Sequence, residues 1–139
     1  SRYETVSREE GLRDVLAAYD FLAAQHNVDA DSIAVVGSSY GGYLAALLTA
    51  LRPVKWLALR APALYKDSDW KLPKYRLGSE QKLEVYRKQA VRPDESRALR
   101  ACAAFTGDVL VVESERDAII PHQVVVNYRE PCTSARTLT

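Results

Sequence analysis

Apolar side chains recur at helical spacing in several segments of the chain, most clearly in residues 7–25. There the apolar positions fall on one face of a helix. Ser7, followed three residues later by Glu10, is a capping-box signature for the first turn. Shorter patterns of the same kind predict helices over residues 43–51, 83–88, 94–105 and 121–129.

Short apolar runs alternate with these helices, at residues 33–36, 54–59 and 109–113, and residues 135–139 read as the opening of another strand. An apolar run without alternation is typical of a strand that is covered on both faces. Strands that alternate with helices predict a parallel sheet with right-handed crossovers. We therefore expect an α/β fold, with a parallel sheet and helices on both faces, in one domain over residues 1–139.

Charge and composition argue against a nucleic-acid-binding protein, a membrane protein and a metal-binding protein. The chain has 19 basic and 18 acidic side chains, a net charge of +1, which gives no argument for nucleic acid as a partner. No apolar stretch approaches the roughly 18 residues needed to span a bilayer, so we expect no membrane partner. Cys102 and Cys132 form neither a disulfide framework nor a metal-ligand spacing. They predict ordinary thiols in a reducing, cytoplasmic compartment and no metal site.

The most informative motif is the sequence G-S-S-Y-G at residues 37–41, which follows an apolar run and precedes a helix. A G-x-S-x-G motif in that position is typical of a nucleophile elbow, in which the hydroxyl of Ser39 stands clear of the sheet on a strained turn. Gly37 and Gly41 would avoid collisions between the strand and the helix, and Gly42 extends the turn. The backbone N–H of Tyr40, which follows the nucleophile, is the natural first donor to an oxyanion.

Two other interpretations of this glycine-rich turn stay open. It could bind a phosphate, but the G-x-G-x-x-G register is missing and no Gly-Lys-Ser/Thr sequence follows. It could also be a tight turn with a structural role only. Ser38 is a weaker candidate nucleophile, because only Ser39 has glycine two residues before and two residues after it.

A candidate acid follows the third apolar run. Asp117 comes 78 residues after Ser39, in the chain order serine, acid, histidine. It lies past the end of a later strand, on the rim where ligands bind in parallel sheets. Its role would be to hold a histidine in the correct tautomer. Glu113 and Glu115 are nearby rivals, and a solvated loop aspartate is the alternative interpretation.

The matching histidine is harder to find, because the chain has only His26 and His122. His26 ends the first helix and reads as a surface or capping residue. His122 is a weak candidate, since a base that touches both Ser39 and Asp117 normally arrives on a separate loop after a further strand. We expect the triad histidine to lie beyond Thr139.

Together these motifs resemble the α/β-hydrolase superfamily. The S-Y-G-G sequence that begins at Ser39 is most similar to the prolyl oligopeptidase branch and to dienelactone-hydrolase-like esterases, and Asp117 with the Ile-Pro pair at residues 120–121 resembles their acid loop. The resemblance implies Ser39 as nucleophile, Asp117 as acid and Tyr40 as an oxyanion donor, with no cofactor. It implies a partial α/β-hydrolase catalytic domain that lacks the N-terminal strands and the last strand. Residues 64–92 would form a lid within it.

The sequence thus predicts a serine hydrolase that cleaves an ester or a small amide or peptide bond through an acyl-enzyme at Ser39. The substrate would be a small molecule or a short peptide, and the oligomeric state stays open. The alternative is a catalytically incomplete fragment or a non-catalytic scaffold without a triad histidine. The basic surplus between Arg60 and Arg100 fits either an anionic substrate or a solvated lid surface. Aromatic side chains available to line an acyl pocket are Tyr65, Trp70, Tyr75 and Tyr86.

Overall fold

The computed structural model describes residues 5–68, 70–76, 80–132 and 135–139, in which strands and helices alternate. In chain order the main elements are α1 (Arg8–Ala23), β1 (Ala34–Ser38), α2 (Tyr40–Thr49), β2 (Trp56–Arg60), α3 (Glu80–Arg87), α4 (Arg97–Ala104), β3 (Asp108–Val112), α5 (His122–Arg129) and β4 (Ala135–Leu138). Short 3-10 helices cover Lys74–Arg76 and Pro93–Glu95.

The first helix begins where its capping signature predicts. Ser7 is the N-cap, and its hydroxyl oxygen accepts the N–H of Glu10 at 3.2 Å, which satisfies one of the free donors of the first turn. The second helix begins at Tyr40, three residues earlier than the hydrophobic pattern predicts. Periodicity alone could not place this start, because glycines occupy the first turn.

All four strands of the described sheet are parallel, in the order β1-β2-β3-β4. Gly37 pairs with Leu59, which pairs with Val111. The predicted parallel sheet is therefore confirmed. The strand predicted to open at residues 135–139 is also present, since β4 pairs with β3 from Ala135 to Leu138.

The helices cover one face of this sheet. On that face the side chains of Leu57, Leu59, Val109 and Val111 are at most 3% exposed. On the other face Val36 is 76% exposed. The prediction of strands covered on both faces is therefore met on one face only within the described residues. The central residues of the apolar runs are apolar on both faces, so periodicity could not distinguish the covered face from the exposed one. Other exposed side chains on that face are Trp56, Leu110 and Leu138.

The covered face and the helices enclose one main core. It includes Tyr43 and Leu47 from α2, Leu99 from α4 and Tyr128 from α5. Both cysteines are buried as free thiols. Among the described residues, no helix combines the length and the apolar character that crossing a bilayer requires.

Replacing Leu59 with alanine should lower the free energy of unfolding by about 2–5 kcal/mol, because the side chain is fully buried and its loss leaves a cavity. Urea unfolding measures this change. The same substitution at Leu22, which is 45% exposed on α1, is the matched control and should change stability by about 1 kcal/mol or less. Equal losses at both positions would contradict the assignment of the core.

Candidate active site

Ser39 lies in a strained bend directly between β1 and α2. Its backbone has φ 54° and ψ −120°, a region that non-glycine residues rarely adopt. Its N–H donates to the carbonyl of Arg60 at 3.0 Å, and its carbonyl accepts the N–H groups of Gly42 at 3.0 Å and Ala63 at 2.9 Å. The loop after β2 and the first turn of α2 thus hold the bend from two sides. The side chain makes no capping bond to the helix and is exposed.

Two of the three glycines around Ser39 are sterically required. A Cβ on Gly37 would lie 2.7 Å from the Cα of Gly42 and closer still to the carbonyl of Gly41. A Cβ on Gly42 would lie 2.9 Å from the Cβ of Pro62. A Cβ on Gly41, in contrast, would meet no atom within 4 Å. The expected collision at Gly41 is therefore absent, and the close approach involves Gly37 and Gly42 instead.

The backbone and the side chain of Tyr40 have separate environments. Its N–H opens α2 and donates to no described residue. Its hydroxyl is buried against Gly11 and has no hydrogen-bond partner among the described residues, and burial raises the pKa of this phenol to about 12. The ring packs edge-on against Tyr65, with 6.0 Å between the centroids. The side chain is thus fixed among the helices, while the amide stays at the bend.

Asp117 lies in the loop that follows β3. Its Oδ1 accepts the N–H groups of Ile119 and Ile120, each at 2.9 Å. Within the described part of the chain, its Oδ2 has no hydrogen-bond partner, so one carboxylate oxygen is fixed and the other can accept a further donor. Ser39 follows β1 and Asp117 follows β3, and the strands are parallel, so both residues lie at the carboxyl edge of the sheet. Only β2 separates the two strands, a distance of about 10 Å across the sheet.

Neither histidine of the chain is hydrogen-bonded to Ser39 or Asp117. The Nδ1 of His122 lies 2.6 Å from Oε1 of Glu113, and the imidazole is 65% exposed. This pair occupies the start of α5 and the end of β3. His26 is exposed in the turn after α1. The partnership of His122 with Glu113 was not predicted, because the nine-residue separation in the chain does not reveal it.

A buried arginine holds the segment after β2 to the first helix. Arg8 is fully buried, and its guanidinium donates to the carbonyls of Lys66 at 2.6 Å and Ser68 at 2.5 Å. It also lies 5.5 Å from the ring centroid of Tyr65 and 5.4 Å from that of Trp70. Nothing in the sequence pattern indicates this role, because an arginine after an N-cap is ordinarily solvated.

The aromatic residues predicted to line an acyl pocket have mixed environments. Tyr65 and Trp70 pack against the Arg8 guanidinium, and Tyr86 is buried below Lys66, whose Nζ lies 5.7 Å from the ring centroid. The side chain of Tyr75 lies outside the described residues. No cluster of three or more histidine, cysteine or acidic side chains suited to a metal ion is found in the part of the chain that the structure describes.

Comparison with known proteins gives one family and a shared fold. The sequence profile described as the prolyl oligopeptidase family matches residues 4–130. No curated protein matches the chain. Among solved structures, Est1E from Butyrivibrio proteoclasticus is 18% identical, with a TM-score of 0.69 over 96% of this chain and 60% of that chain.

Two acetyl xylan esterases have similar structures. That of Thermoanaerobacterium sp. JW/SL YS485 is 19% identical, with a TM-score of 0.61 over 92% of this chain and 45% of its own. That of Paenibacillus sp. R4 is 22% identical, with a TM-score of 0.59 over 94% of this chain and 46% of its own. At these identities the likeness shows the fold alone. The chain spans 60% of the length of Est1E and less than half of the other two.

Gly37→Ala should lower the free energy of unfolding by about 1–3 kcal/mol, because its Cβ would press on backbone that cannot move without opening the bend. Gly41→Ala is the matched control. It introduces the same group into open space in a helix, where alanine is favoured over glycine, and should leave stability unchanged or slightly raised. Thermal and urea unfolding of both variants test this difference. A greater loss for Gly41→Ala would contradict the geometry of the bend.

Proposed function

Because the chain belongs to the prolyl oligopeptidase family, we propose that it carries the nucleophile and the acid of a serine hydrolase. The observation that carries the proposal is the conformation of Ser39, a strained bend between a strand and a helix with an exposed, uncapped hydroxyl. A tight turn with a structural role only would not require this strain, which clusters at functional sites. It would also not require Asp117 at the same edge of the sheet.

In the proposed reaction, the Oγ of Ser39 attacks the carbonyl carbon of an ester or a small amide, and its proton passes to a histidine base. The tetrahedral intermediate expels the alcohol or amine, which receives the proton, and water then releases the acyl group from the serine. The N–H of Tyr40 is the proposed donor to the oxyanion, supported by its free amide and by the positive end of α2. One such donor contributes about 3 kcal/mol to the stabilisation of the transition state.

Asp117 is the proposed partner of that histidine. Two amide donors hold its Oδ1 and fix the plane of the carboxylate, and its Oδ2 is left to accept the Nδ1–H of an imidazole. His122 does not fit this role, since its own Nδ1 contacts Glu113. The proposal therefore requires a histidine other than His26 and His122.

The proposed substrate class is a small-molecule ester or a short peptide. The structural similarity to two acetyl xylan esterases favours an ester, and the family favours a peptide bond. We also propose a cytoplasmic location, which the two free thiols support.

A fluorophosphonate probe should label the full-length protein at Ser39, because the probe reacts only with an activated serine. The label should be lost in Ser39→Ala and kept in Ser38→Ala, whose hydroxyl also lies beside the bend. Mass spectrometry of the labelled peptide identifies the residue.

Labelling that survives in Ser39→Ala would overturn the assignment of the nucleophile. A folded full-length protein without any label would instead favour the non-catalytic scaffold.

Asp117→Asn should lower kcat on p-nitrophenyl acetate by about 10³–10⁴-fold, because an amide cannot hold the histidine in the required tautomer. Glu113→Gln is the control. It removes the partner of His122 and should leave kcat within a few-fold of the wild-type value. Collapse of activity in Glu113→Gln rather than in Asp117→Asn would transfer the role of the acid to Glu113.

A further inference from the structure

The hydroxyl of Tyr128 reaches the loop that supports the nucleophile. Tyr128 lies on α5, is fully buried, and donates to the carbonyl of Ala63 at 2.7 Å across 65 residues of sequence. Burial raises the pKa of this phenol well above its usual range, so the hydroxyl keeps its proton and stays a donor. Removal of the hydroxyl would leave a buried carbonyl without this partner.

The backbone N–H of Ala63 points towards Ser39. Its N–H donates to the carbonyl of Ser39 at 2.9 Å. This carbonyl and the N–H of Tyr40 belong to one peptide unit, which is planar and trans. In a trans peptide the C=O and the N–H point in opposite directions. A donor that fixes the carbonyl of Ser39 therefore also fixes the direction of the N–H of Tyr40.

Contacts from other parts of the fold hold the loop at residues 61–63 in place beside Ser39. Ala61 has φ 41°, a strained value for a residue with a Cβ, and its N–H donates to the carbonyl of Val112 at 2.8 Å. Pro62 has no N–H to contribute and packs tightly on Gly42. Arg87 donates to the carbonyl of Leu64 at 3.3 Å, which supports the next residue. Among the described residues, the hydrogen bond from Tyr128 is the shortest of those that hold this loop.

We propose that Tyr128 is a positioning residue for the oxyanion donor, acting through Ala63 on the peptide between Ser39 and Tyr40. Tyr128 touches neither substrate nor reacting atoms. Its helix begins directly after the acid loop, at His122, with Pro121 as the N-cap. The hydroxyl therefore joins the part of the fold that carries Asp117 to the part that carries Ser39. This inference rests on the proposed function of Ser39.

The test is Tyr128→Phe in the full-length protein, assayed with p-nitrophenyl acetate and with a fluorophosphonate probe. Since a misplacement of about 1 Å can lower a rate by 10²-fold, we expect kcat and the labelling rate to fall by about 10- to 100-fold. KM should change by less than about threefold, because the oxyanion forms only after binding.

Tyr19→Phe is the matched control. Tyr19 is also buried, and its hydroxyl donates to the carbonyl of Pro53 at 2.6 Å. Pro53 precedes β2, at the amino edge of the sheet, opposite to Ser39. The control loses the same kind of bond, so its melting temperature should fall while kcat and the labelling rate stay within about twofold of wild type.

The outcomes separate the two proposals. Labelled wild type with equal rates in both variants overturns the positioning role and leaves the proposed function intact. Unlabelled, folded wild type overturns the proposed function and this inference with it. A selective loss of kcat in Tyr128→Phe supports both. If Tyr128→Phe unfolds at the assay temperature, all proteins are compared in trimethylamine oxide, which favours the compact state.

Discussion

The backbone of Ser39 can be strained only because the groups around it leave it no easier conformation. A positive φ at a residue with a Cβ persists when surrounding hydrogen bonds over-determine it. In this fold β2 accepts its N–H through the carbonyl of Arg60, while α2 and Ala63 hold its carbonyl. The strand order follows the same requirement, since β1 and β2 must be neighbours in register for Arg60 to reach it. The position of the candidate nucleophile thus depends on the pairing of β1 with β2 as well as on the glycine-rich motif.

The parallel topology brings the rest of the candidate site to that position. Parallel strands end at one edge of the sheet, so the loops after β1, β2 and β3 converge although they are far apart in sequence. The loop after β1 supplies a hydroxyl, the loop after β2 supports it, and the loop after β3 supplies a carboxylate held by two amides. The helices that follow pack on one face and fix these loops by their buried side chains.

The elements and the bend could be predicted because their causes are local. The capping pair at Ser7 and the glycines around Ser39 impose their structure on a few neighbouring residues. The chain order predicts Asp117 after β3, and the parallel sheet puts the end of β3 at the same edge as the end of β1. The contacts of Arg8 and Tyr128 could not be predicted, because each acts on carbonyls roughly 60 residues away and any residue offers a carbonyl. The open space at Gly41 could not be predicted either, because a sequence motif specifies which residue is present but not which atoms surround it.

The burial of Arg8 has a practical consequence for the choice of polypeptide boundaries. Its guanidinium stands at the first residue of α1 and holds the carbonyls of Lys66 and Ser68. A polypeptide designed to start after this position would keep the four strands of the described sheet and Ser39. It would lose the guanidinium that binds two carbonyls and contacts three aromatic rings. Domain boundaries chosen from strand positions alone would therefore remove the contacts by which Arg8 holds the segment after β2 against α1.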